Sequence, residues 1–185
     1  MSKIGFGIDV GGSGIKGARV DLETGEFVGD RIKILTPKPA TTDAVAETIV
    51  AILNQAEWDG PVGITLPSVV KNQHAHTAAN IDPSWVNTDL TELFSRHLPE
   101  RRVHVLNDAD AAGLAEVKFG HPDASHGSVI MLTFGTGIGS AFFQDGVLFP
   151  NTELGHLAFK NSEVEKYASS AVKDNEELSY TQWAK

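Results

Sequence analysis

A short glycine-rich stretch between two apolar runs is the feature that most constrains the fold of this chain. The stretch is Asp9-Val-Gly-Gly-Ser-Gly-Ile-Lys-Gly17, and the apolar runs cover residues 4–10 and 15–20. This layout predicts two strands joined by a tight turn, because glycine reaches positive φ without steric cost. Such a turn exposes several backbone N–H groups in one direction, and a nest of amides binds phosphate oxygens. An ordinary glycine hairpin turn is the alternative interpretation.

Asp9 stands at the end of the first predicted strand, where its carboxylate would repel a phosphate unless a cation lay between them. Mg²⁺ prefers carboxylate, water and phosphate oxygens, so we expect Asp9 to hold Mg²⁺ through water. The stretch is not a Walker loop, because the G-x-x-x-x-G-K-[ST] spacing is missing. It is not a Rossmann fingerprint either, because no helix follows it.

Composition excludes several classes of protein. The chain has 185 residues, enough for one domain or two small ones, and its net charge of -9 argues against a general nucleic-acid binder. It has no cysteine, so neither a disulfide framework nor a thiolate metal site is expected. No apolar run approaches the ~20 residues of a membrane span, and the N-terminus leads into a strand rather than a signal peptide. We therefore expect a cytoplasmic protein that binds neither nucleic acid nor a membrane.

The spacing of apolar residues predicts an α/β chain with the element order β-β-β-α-β-α-β-α, followed by a fresh β-β pair. Each of the first two predicted helices has one apolar face at helical spacing. The predicted elements are three antiparallel strands within 3–35, a helix over 41–58, a strand over 61–66, a helix over 88–98, a strand over 102–106, a helix over 107–118 and a hairpin over 128–144.

The hairpin at 128–144 turns around Gly135-Thr136-Gly137 and looks like the start of a second copy of the opening unit. Two such units, each with a glycine hairpin, could face each other across a cleft with phosphate between them. Ser179 and Gln182 have capping-box spacing, which predicts a helix that begins shortly before Lys185. Because isolated helices shorter than ~12 residues are marginal in water, we expect that the C-terminal part of the second unit is missing.

Polar residues with catalytic chemistry follow the last strand of the first unit. Asn107 and Asp108 stand where a strand ends and a helix begins, which is where ligands bind in open α/β sheets. Asp108 could act as a general base that takes a proton from a sugar hydroxyl, or it could simply cap the helix. Asp110 is interpreted as an acid of the first helical turn. Glu153 and His156, three residues apart, together suit a polyol with several hydroxyls.

These motifs together resemble the ROK group (repressors, open reading frames, kinases) of the actin/hexokinase/Hsp70 superfamily, and within it the actinobacterial polyphosphate glucokinases. The resemblance implies an α/β fold of the actin-like ATPase (ribonuclease H-like) type, with a mixed sheet, N-terminal β-hairpins and two lobes around a cleft. It also implies a small N-terminal domain at 1–107 and the start of a larger, truncated domain at 108–185. The stretches that carry it are Gly7–Gly17, Gly63–Pro67, Ala79–Ile81, Leu106–Gly113, Leu132–Ser140 and Pro150–His156.

The resemblance implies transfer of the terminal phosphoryl group of polyphosphate, and of ATP, to the 6-hydroxyl of glucose, which gives glucose 6-phosphate. It also implies Mg²⁺ between the donor phosphates, a homodimer, and Asp108 as the catalytic base. The implied sugar ligands are Asn80, Asn107, Asp108, Glu153, His156 and Glu165, and the implied phosphate ligands are Asp9, Gly11, Gly12, Ser13 and Lys16 in the first turn and Gly135, Thr136 and Gly137 in the second.

One departure and two alternatives refine this expectation. Many ROK kinases carry a cysteine-rich zinc motif after the Gly-His pair, but residues 157–170 contain no cysteine, so no zinc is expected and His156 is available to the sugar. The alternatives are an ATP-only glucokinase or glucomannokinase, and a nucleotide switch or structural protein of the actin/Hsp70 type. The last would not need the sugar-binding residues. Because the chain is acidic, a polyphosphate donor requires a local basic groove, drawn from Lys16, Arg31, Lys33, Lys71, Arg101 and Arg102.

Overall fold

The computed structural model describes residues 3–78 and 81–185. The chain folds into two compact units, of which the first ends at Asp108 and the second begins at Ala109. The division into domains at 1–107 and 108–185 stays a prediction. No helix among the described residues is both long enough and apolar enough to cross a membrane.

The first unit contains every strand and helix that the apolar spacing predicts for it, with ends shifted by a few residues. It also contains a small sheet that was not predicted. In chain order the elements are β1 (Ile4–Val10), β2 (Ile15–Asp21), β3 (Phe27–Ile34), α1 (Thr42–Gln55), β4 (Val62–Leu66), β5 (Val70–Lys71), β6 (His74–Ala75), β7 (Thr88–Asp89), α2 (Leu90–His97) and β8 (Val103–Asn107), with a 3₁₀ turn at Pro83–Trp85.

A five-stranded mixed sheet with the order β3-β2-β1-β4-β8 forms the base of the first unit. The first three strands pair antiparallel, whereas β1 with β4 and β4 with β8 pair parallel. The prediction of three N-terminal antiparallel strands in a mixed sheet is therefore confirmed. Parallel neighbours need a crossover, and helices α1 and α2 stand in the two crossovers that link β3 to β4 and β4 to β8.

Helix α1 packs one apolar face into the core of this unit. Thr41 caps the helix, since its side chain accepts a hydrogen bond from the Ala44 backbone N–H at 3.4 Å. The predicted inward faces of both helices are buried in one cluster with the sheet, which confirms the periodicity argument. The buried residues are Val45, Ile49, Ile52, Leu53 and Ala56 from α1, and Leu90, Leu93, Phe94 and Leu98 from α2 and its end.

The unpredicted sheet has the order β5-β6-β7. Strands β5 and β6 lie where neither strand nor helix was predicted, whereas β7 occupies the first two residues of the helix predicted over 88–98. Its strands are two residues long, too short for alternation to be visible. Strands β5 and β6 are joined by Asn72 and Gln73, both at positive φ (51° and 58°), as in a type I′ hairpin. The Gln73 side chain bonds both backbone groups of Val105 on edge strand β8, at 3.1 Å each.

The second unit is built around the predicted hairpin, which is confirmed. A turn at Asp145-Gly146 follows the hairpin, with both residues at positive φ. Helix α3 (Asp108–Phe119) begins at the last residue of the first unit, and a 3₁₀ turn at Pro122–Ser125 follows it. The further elements are β9 (Ser128–Phe134), β10 (Ile138–Gln144), β11 (Val147–Phe149), a 3₁₀ turn at Leu154–His156, β12 (Ala158–Phe159), β13 (Ser162–Glu163), α4 (Glu165–Ala168), α5 (Ser170–Asn175) and α6 (Tyr180–Trp183).

Strands β9 and β10 pair antiparallel, and β11 adds to β10, so the sheet order is β11-β10-β9. Gly113 allows helix α3 to approach this sheet closely, because a Cβ there would lie 2.6 Å from the Ala141 Cβ and 2.7 Å from the Phe143 ring. Helix α6 begins at the predicted capping box, in which Ser179 and Gln182 bond each other's backbone N–H groups. Strands β11, β12 and β13 were not predicted, since each has only two or three residues.

Gly17 on β2 provides a test of how tightly the first core is packed. A Cβ at Gly17 would lie 2.5 Å from Ile52 and within 3.0 Å of both Phe6 and Ile8. Since overpacking a core typically costs about 1–3 kcal/mol, we expect Gly17→Ala to lower the free energy of unfolding by that amount in urea denaturation.

Gly63→Ala on β4 is the matched control, because a Cβ at Gly63 meets no atom within 4 Å. We expect its free energy of unfolding to stay within about 0.5 kcal/mol of the parent protein. If both variants lost the same free energy of unfolding, the loss would come from replacing any glycine in a strand, and not from the contact between residue 17 and α1.

Candidate functional site

The first predicted phosphate turn joins β1 to β2. The Gly11 backbone N–H donates to the Gly14 carbonyl at 3.2 Å, and Gly12 and Ser13 at the tip are exposed. The expectation that these glycines need positive φ is wrong, since the three glycines of the turn all lie at negative φ. The close backbone contact in this turn favours glycine for a different reason, since a Cβ at Gly11 would lie 3.1 Å from the Gly14 carbonyl oxygen.

Asp9 lies beside Lys16 and Thr65 because its strand, β1, pairs with β2 on one side and with β4 on the other. Asp9 is the register partner of Lys16 on β2 and of Thr65 on β4. Lys16 Nζ donates to Oδ2 of Asp9 and Thr65 Oγ1 donates to Oδ1, each at 3.1 Å. The Asp9 side chain is 51% exposed. The sequence predicted Asp9 and Lys16 for this site but not Thr65, which only the β1–β4 register places there.

This donor set fits a water-bridged Mg²⁺. A half-exposed carboxylate with a hydroxyl oxygen beside it supplies the oxygen ligands that Mg²⁺ prefers, and Mg²⁺ usually keeps several of its waters when it binds a protein. Both Asp9 oxygens already accept hydrogen bonds, so an ion bound through water suits the site better than direct coordination.

The predicted basic residues are distributed unevenly in the first unit. Lys16 and Lys33 are direct register partners on β2 and β3, next to the glycine turn. Arg101, in contrast, donates to the Trp58 carbonyl, and Arg31 stacks 5.4 Å from the centre of the Phe27 ring. The two lysines are therefore the part of the predicted groove that lies at the turn.

Strand β8 and helix α3 follow one another directly, so the predicted pair Asn107 and Asp108 lies at the carboxyl end of the sheet. The Asn107 side chain is buried, and its Nδ2 donates to the Ser68 carbonyl at 3.2 Å. Ser68 is itself buried and donates from Oγ to the Thr77 carbonyl at 2.7 Å. Asp108 is exposed at the first position of α3. Asn80, another implied sugar ligand, lies outside the described residues.

The second predicted phosphate turn, between β9 and β10, is closed by a hydrogen bond of 2.9 Å from the Gly135 N–H to the Gly137 carbonyl. Gly135 and Thr136 are exposed. Glu165 stabilises this turn through a hydrogen bond, since its Oε2 accepts from the Ile138 backbone N–H at 3.1 Å. A Cβ at Gly137 would overlap that carboxylate, so glycine is required by the close approach.

Glu165 has a lowered pKa. Burial is the largest single influence and raises the pKa, because it favours the neutral acid. Hydrogen bonds from Lys166 and the Ile138 N–H, together with the charges of Lys166 and His156, lower the pKa by more than burial raises it. The side chain is only 12% exposed. Glu165 is thus placed as an ionised support of the second turn, and its implied contact with a sugar stays a prediction.

Glu153 and His156 flank a 3₁₀ turn that is held against β10. Ser140 Oγ accepts from the Leu154 N–H at 2.9 Å, and a Cβ at Gly155 would overlap the Ile138 carbonyl oxygen. His156 Nε2 lies 3.6 Å from Oε2 of Glu153, so the structure brings the two predicted sugar ligands together.

Two acids of the second unit play roles that the sequence did not reveal. Glu163 on β13 lies 3.1 Å from Nδ1 of His156, and only the short hairpin after the 3₁₀ turn returns it there. Asp110 lies in the first turn of α3, as interpreted, but it is 2% exposed and its Oδ2 accepts from the Asn151 N–H at 2.9 Å. Asp110 thereby anchors the loop after β11, which no local pattern indicates.

His156, Glu163 and Glu165 together form a candidate cation site. Single ligand atoms of His156, Glu163 and Glu165 lie within 4.8 Å of one another. The His156 ring already pairs with Glu163, and Glu165 already accepts the Ile138 N–H. These contacts account for the cluster without a metal, and the absence of zinc stays a prediction.

The lowered pKa of Glu165 predicts a pH-dependent contribution to stability. In the folded protein the pKa lies below its ordinary value of 4.5. The carboxylate therefore stabilises the fold fully above pH 4.5, and the contribution is lost as the pH falls through the folded pKa. We expect Glu165→Gln to lower the free energy of unfolding at pH 7 by about 1 kcal/mol, and by less as the pH is lowered toward 3.5.

Denaturant titrations across that range measure the difference between the two proteins. Glu176→Gln, at the exposed end of α5, is the control and should show little difference at any pH. A difference for Glu165→Gln that stays constant from pH 7 to pH 3.5 would contradict a role for the charge.

Several known proteins are similar to this chain in sequence and in fold. The sequence model described as "ROK family" matches residues 5–171. A polyphosphate glucokinase of Mycobacterium tuberculosis (strain CDC 1551 / Oshkosh) is 54% identical over 181 residues, which are 98% of this chain and 68% of that protein.

Two solved structures share the fold. One is an inorganic polyphosphate/ATP-glucomannokinase from Arthrobacter sp. strain KM, with 43% identity and a TM-score of 0.89 over 98% of this chain and 74% of that one. The other is a ROK family glucokinase from Streptomyces griseus in complex with glucose and AMPPNP, with 28% identity and a TM-score of 0.77 over 91% and 58%. The predicted actin-like α/β fold is thereby confirmed. Because the family model spans most of the chain and a relative shares more than half of the aligned residues, this chain belongs to the ROK family.

Proposed function

We propose that this protein transfers the terminal phosphoryl group of inorganic polyphosphate, and also of ATP, to the 6-hydroxyl of glucose. Two of its relatives bear the names of these activities: a polyphosphate glucokinase at 54% identity and a polyphosphate/ATP-glucomannokinase at 43%. The product would be glucose 6-phosphate. The sugar-binding candidates favour this activity over a nucleotide switch, which would have no use for Glu153 and His156.

The observation that carries the donor assignment is the pair of lysines beside the first glycine turn. Like charges directly opposite each other on an antiparallel pair are destabilising, and Lys16 and Lys33 occupy such a position. The Asp9 carboxylate offsets part of this charge through its contact with Lys16. A chain of phosphates at the exposed turn would offset the rest, since backbone N–H groups and ammonium groups both bind its oxygens.

On the acceptor side, Asp108 is the proposed base. Its carboxylate would take the proton of the 6-hydroxyl as the sugar oxygen forms a bond to the terminal phosphorus. The bond from that phosphorus to the bridging oxygen breaks, and the shortened donor leaves with the electron pair. Glu153 and His156 would orient the sugar through its other hydroxyls. When bound beside Asp9, Mg²⁺ would neutralise charge on the donor oxygens.

An ATP-only glucokinase or glucomannokinase is the second candidate, because the same sugar ligands and turns could serve it. A homodimer in the cytoplasm is part of the proposal and follows from the family resemblance.

A phosphorylation assay with separate donors tests the proposal. The full-length protein is incubated with glucose and Mg²⁺ and either polyphosphate or ATP, and glucose 6-phosphate is measured through its oxidation by a dehydrogenase. We expect product with polyphosphate and with ATP. Product with ATP alone would select the second candidate, and no product with any donor would exclude a glucokinase.

Asp108→Asn tests the base. Because a positioned acid or base typically contributes 10²–10⁴-fold to the rate, we expect turnover to fall by ~10²–10⁴ while glucose binding changes little. Turnover is measured in the same assay, and glucose binding is measured by calorimetry. Asp59→Asn, at an exposed loop position, is the control and should keep normal turnover. Near-normal turnover with a lower melting temperature in Asp108→Asn would instead identify Asp108 as a helix cap.

A further inference from the structure

His156 lies between two carboxylates that contact its two ring nitrogens differently. Nδ1 is 3.1 Å from Oε2 of Glu163, within hydrogen-bond distance. Nε2 is 3.6 Å from Oε2 of Glu153, longer than a hydrogen bond. The His156 side chain is 44% exposed, so part of the ring is accessible to a ligand.

The contact with Glu163 determines which nitrogen of a neutral ring carries the proton. An ionised carboxylate can only accept, so Nδ1 of His156 must be the donor. Nε2 of the neutral ring is then left with a lone pair, ready to accept from a hydroxyl. Without Glu163 the ring could take the opposite tautomer, in which Nε2 donates and the match to a hydroxyl proton is lost.

Glu165, the other acid near His156 and Glu163, cannot orient the His156 ring in this way. Glu165 is committed to the Ile138 N–H and to Lys166, and its role is to brace the second turn. Glu163, in contrast, is half-exposed on the two-residue strand β13, where an ion pair adds little to folding. The hairpin of β12 and β13 follows the 3₁₀ turn of His156 directly, so its short path returns this carboxylate to the ring.

We propose that Glu163 is a positioning residue that fixes His156 in the Nδ1–H tautomer, so that Nε2 accepts a hydrogen bond from a hydroxyl of the sugar. The part that concerns the sugar rests on the function proposed above. Glu163 does not touch the reacting atoms, and its effect should therefore fall on sugar affinity rather than on the rate of transfer.

The ¹⁵N chemical shifts of the His156 ring test the tautomer without any need for activity. They are recorded on ¹⁵N-labelled protein at a pH where the ring is neutral, and the His156→Gln variant identifies the signals. We expect the Nδ1–H tautomer in the parent protein, both tautomers in Glu163→Gln, whose amide can accept or donate, and the Nε2–H tautomer in Glu163→Ala. An unchanged tautomer in Glu163→Ala would overturn the proposal.

Kinetics test the consequence for the sugar. We expect Glu163→Ala to raise the KM for glucose about five- to tenfold, which corresponds to the loss of one hydrogen bond, with kcat within about twofold. The KM of Glu163→Gln should lie between those of the parent and Glu163→Ala, and Glu47→Ala, exposed on α1, should match the parent. An unchanged KM in Glu163→Ala, or a fall in kcat at constant KM, would contradict the positioning role.

The two experiments fail in different ways. If the parent protein phosphorylates no sugar, the proposed function is wrong, while the ¹⁵N shifts still decide whether Glu163 orients the ring. If the parent protein is active and the tautomer does not respond to Glu163→Ala, only the positioning role is wrong.

Discussion

The position of β1 between an antiparallel and a parallel neighbour determines where the polar groups of the first unit lie. Because β2 and β4 both pair with it, residues that are far apart in sequence meet at the Asp9 carboxylate. The parallel neighbour requires a crossover, and helix α1 in that crossover supplies much of the buried apolar surface. The same strand arrangement that builds the core therefore also brings Lys16 and Thr65 to one carboxylate beside the glycine turn.

In the second unit, strand β10 plays the corresponding part. Its backbone and side chains anchor the 3₁₀ turn at Ser140 and receive Glu165 at Ile138. Each glycine turn therefore adjoins a strand with buried side chains, β1 in the first unit and β10 in the second, although the tips of the turns are exposed. A rigid support under an exposed tip suits the binding of an anion, because the backbone N–H groups are held in place before the anion arrives.

The sequence was sufficient to predict the features that depend on residues close together in the chain. The two hairpins, the helix faces and the capping box at Ser179 depend on residues close together in the chain, and all of them are confirmed. Thr65, Glu163 and Asp110 could not be found in this way, because their roles depend on partners at other strands and loops. The position of the first glycine turn was predicted correctly, but the reason was wrong: its glycines have negative φ, and the close contact is between Gly11 and the Gly14 carbonyl oxygen.

The Gln73 amide, which bonds both the N–H and the carbonyl of Val105, has a consequence for the outer edge of the large sheet. Strand β8 ends the order of strands, and the open ladder of such a strand invites a segment from another molecule to join it. A side-chain amide has the same donor and acceptor as a peptide group, so Gln73 satisfies this part of the ladder itself. A strand from another molecule therefore cannot pair with β8 at Val105, because Gln73 already occupies both backbone groups there. Gln73 makes these hydrogen bonds from a backbone at positive φ.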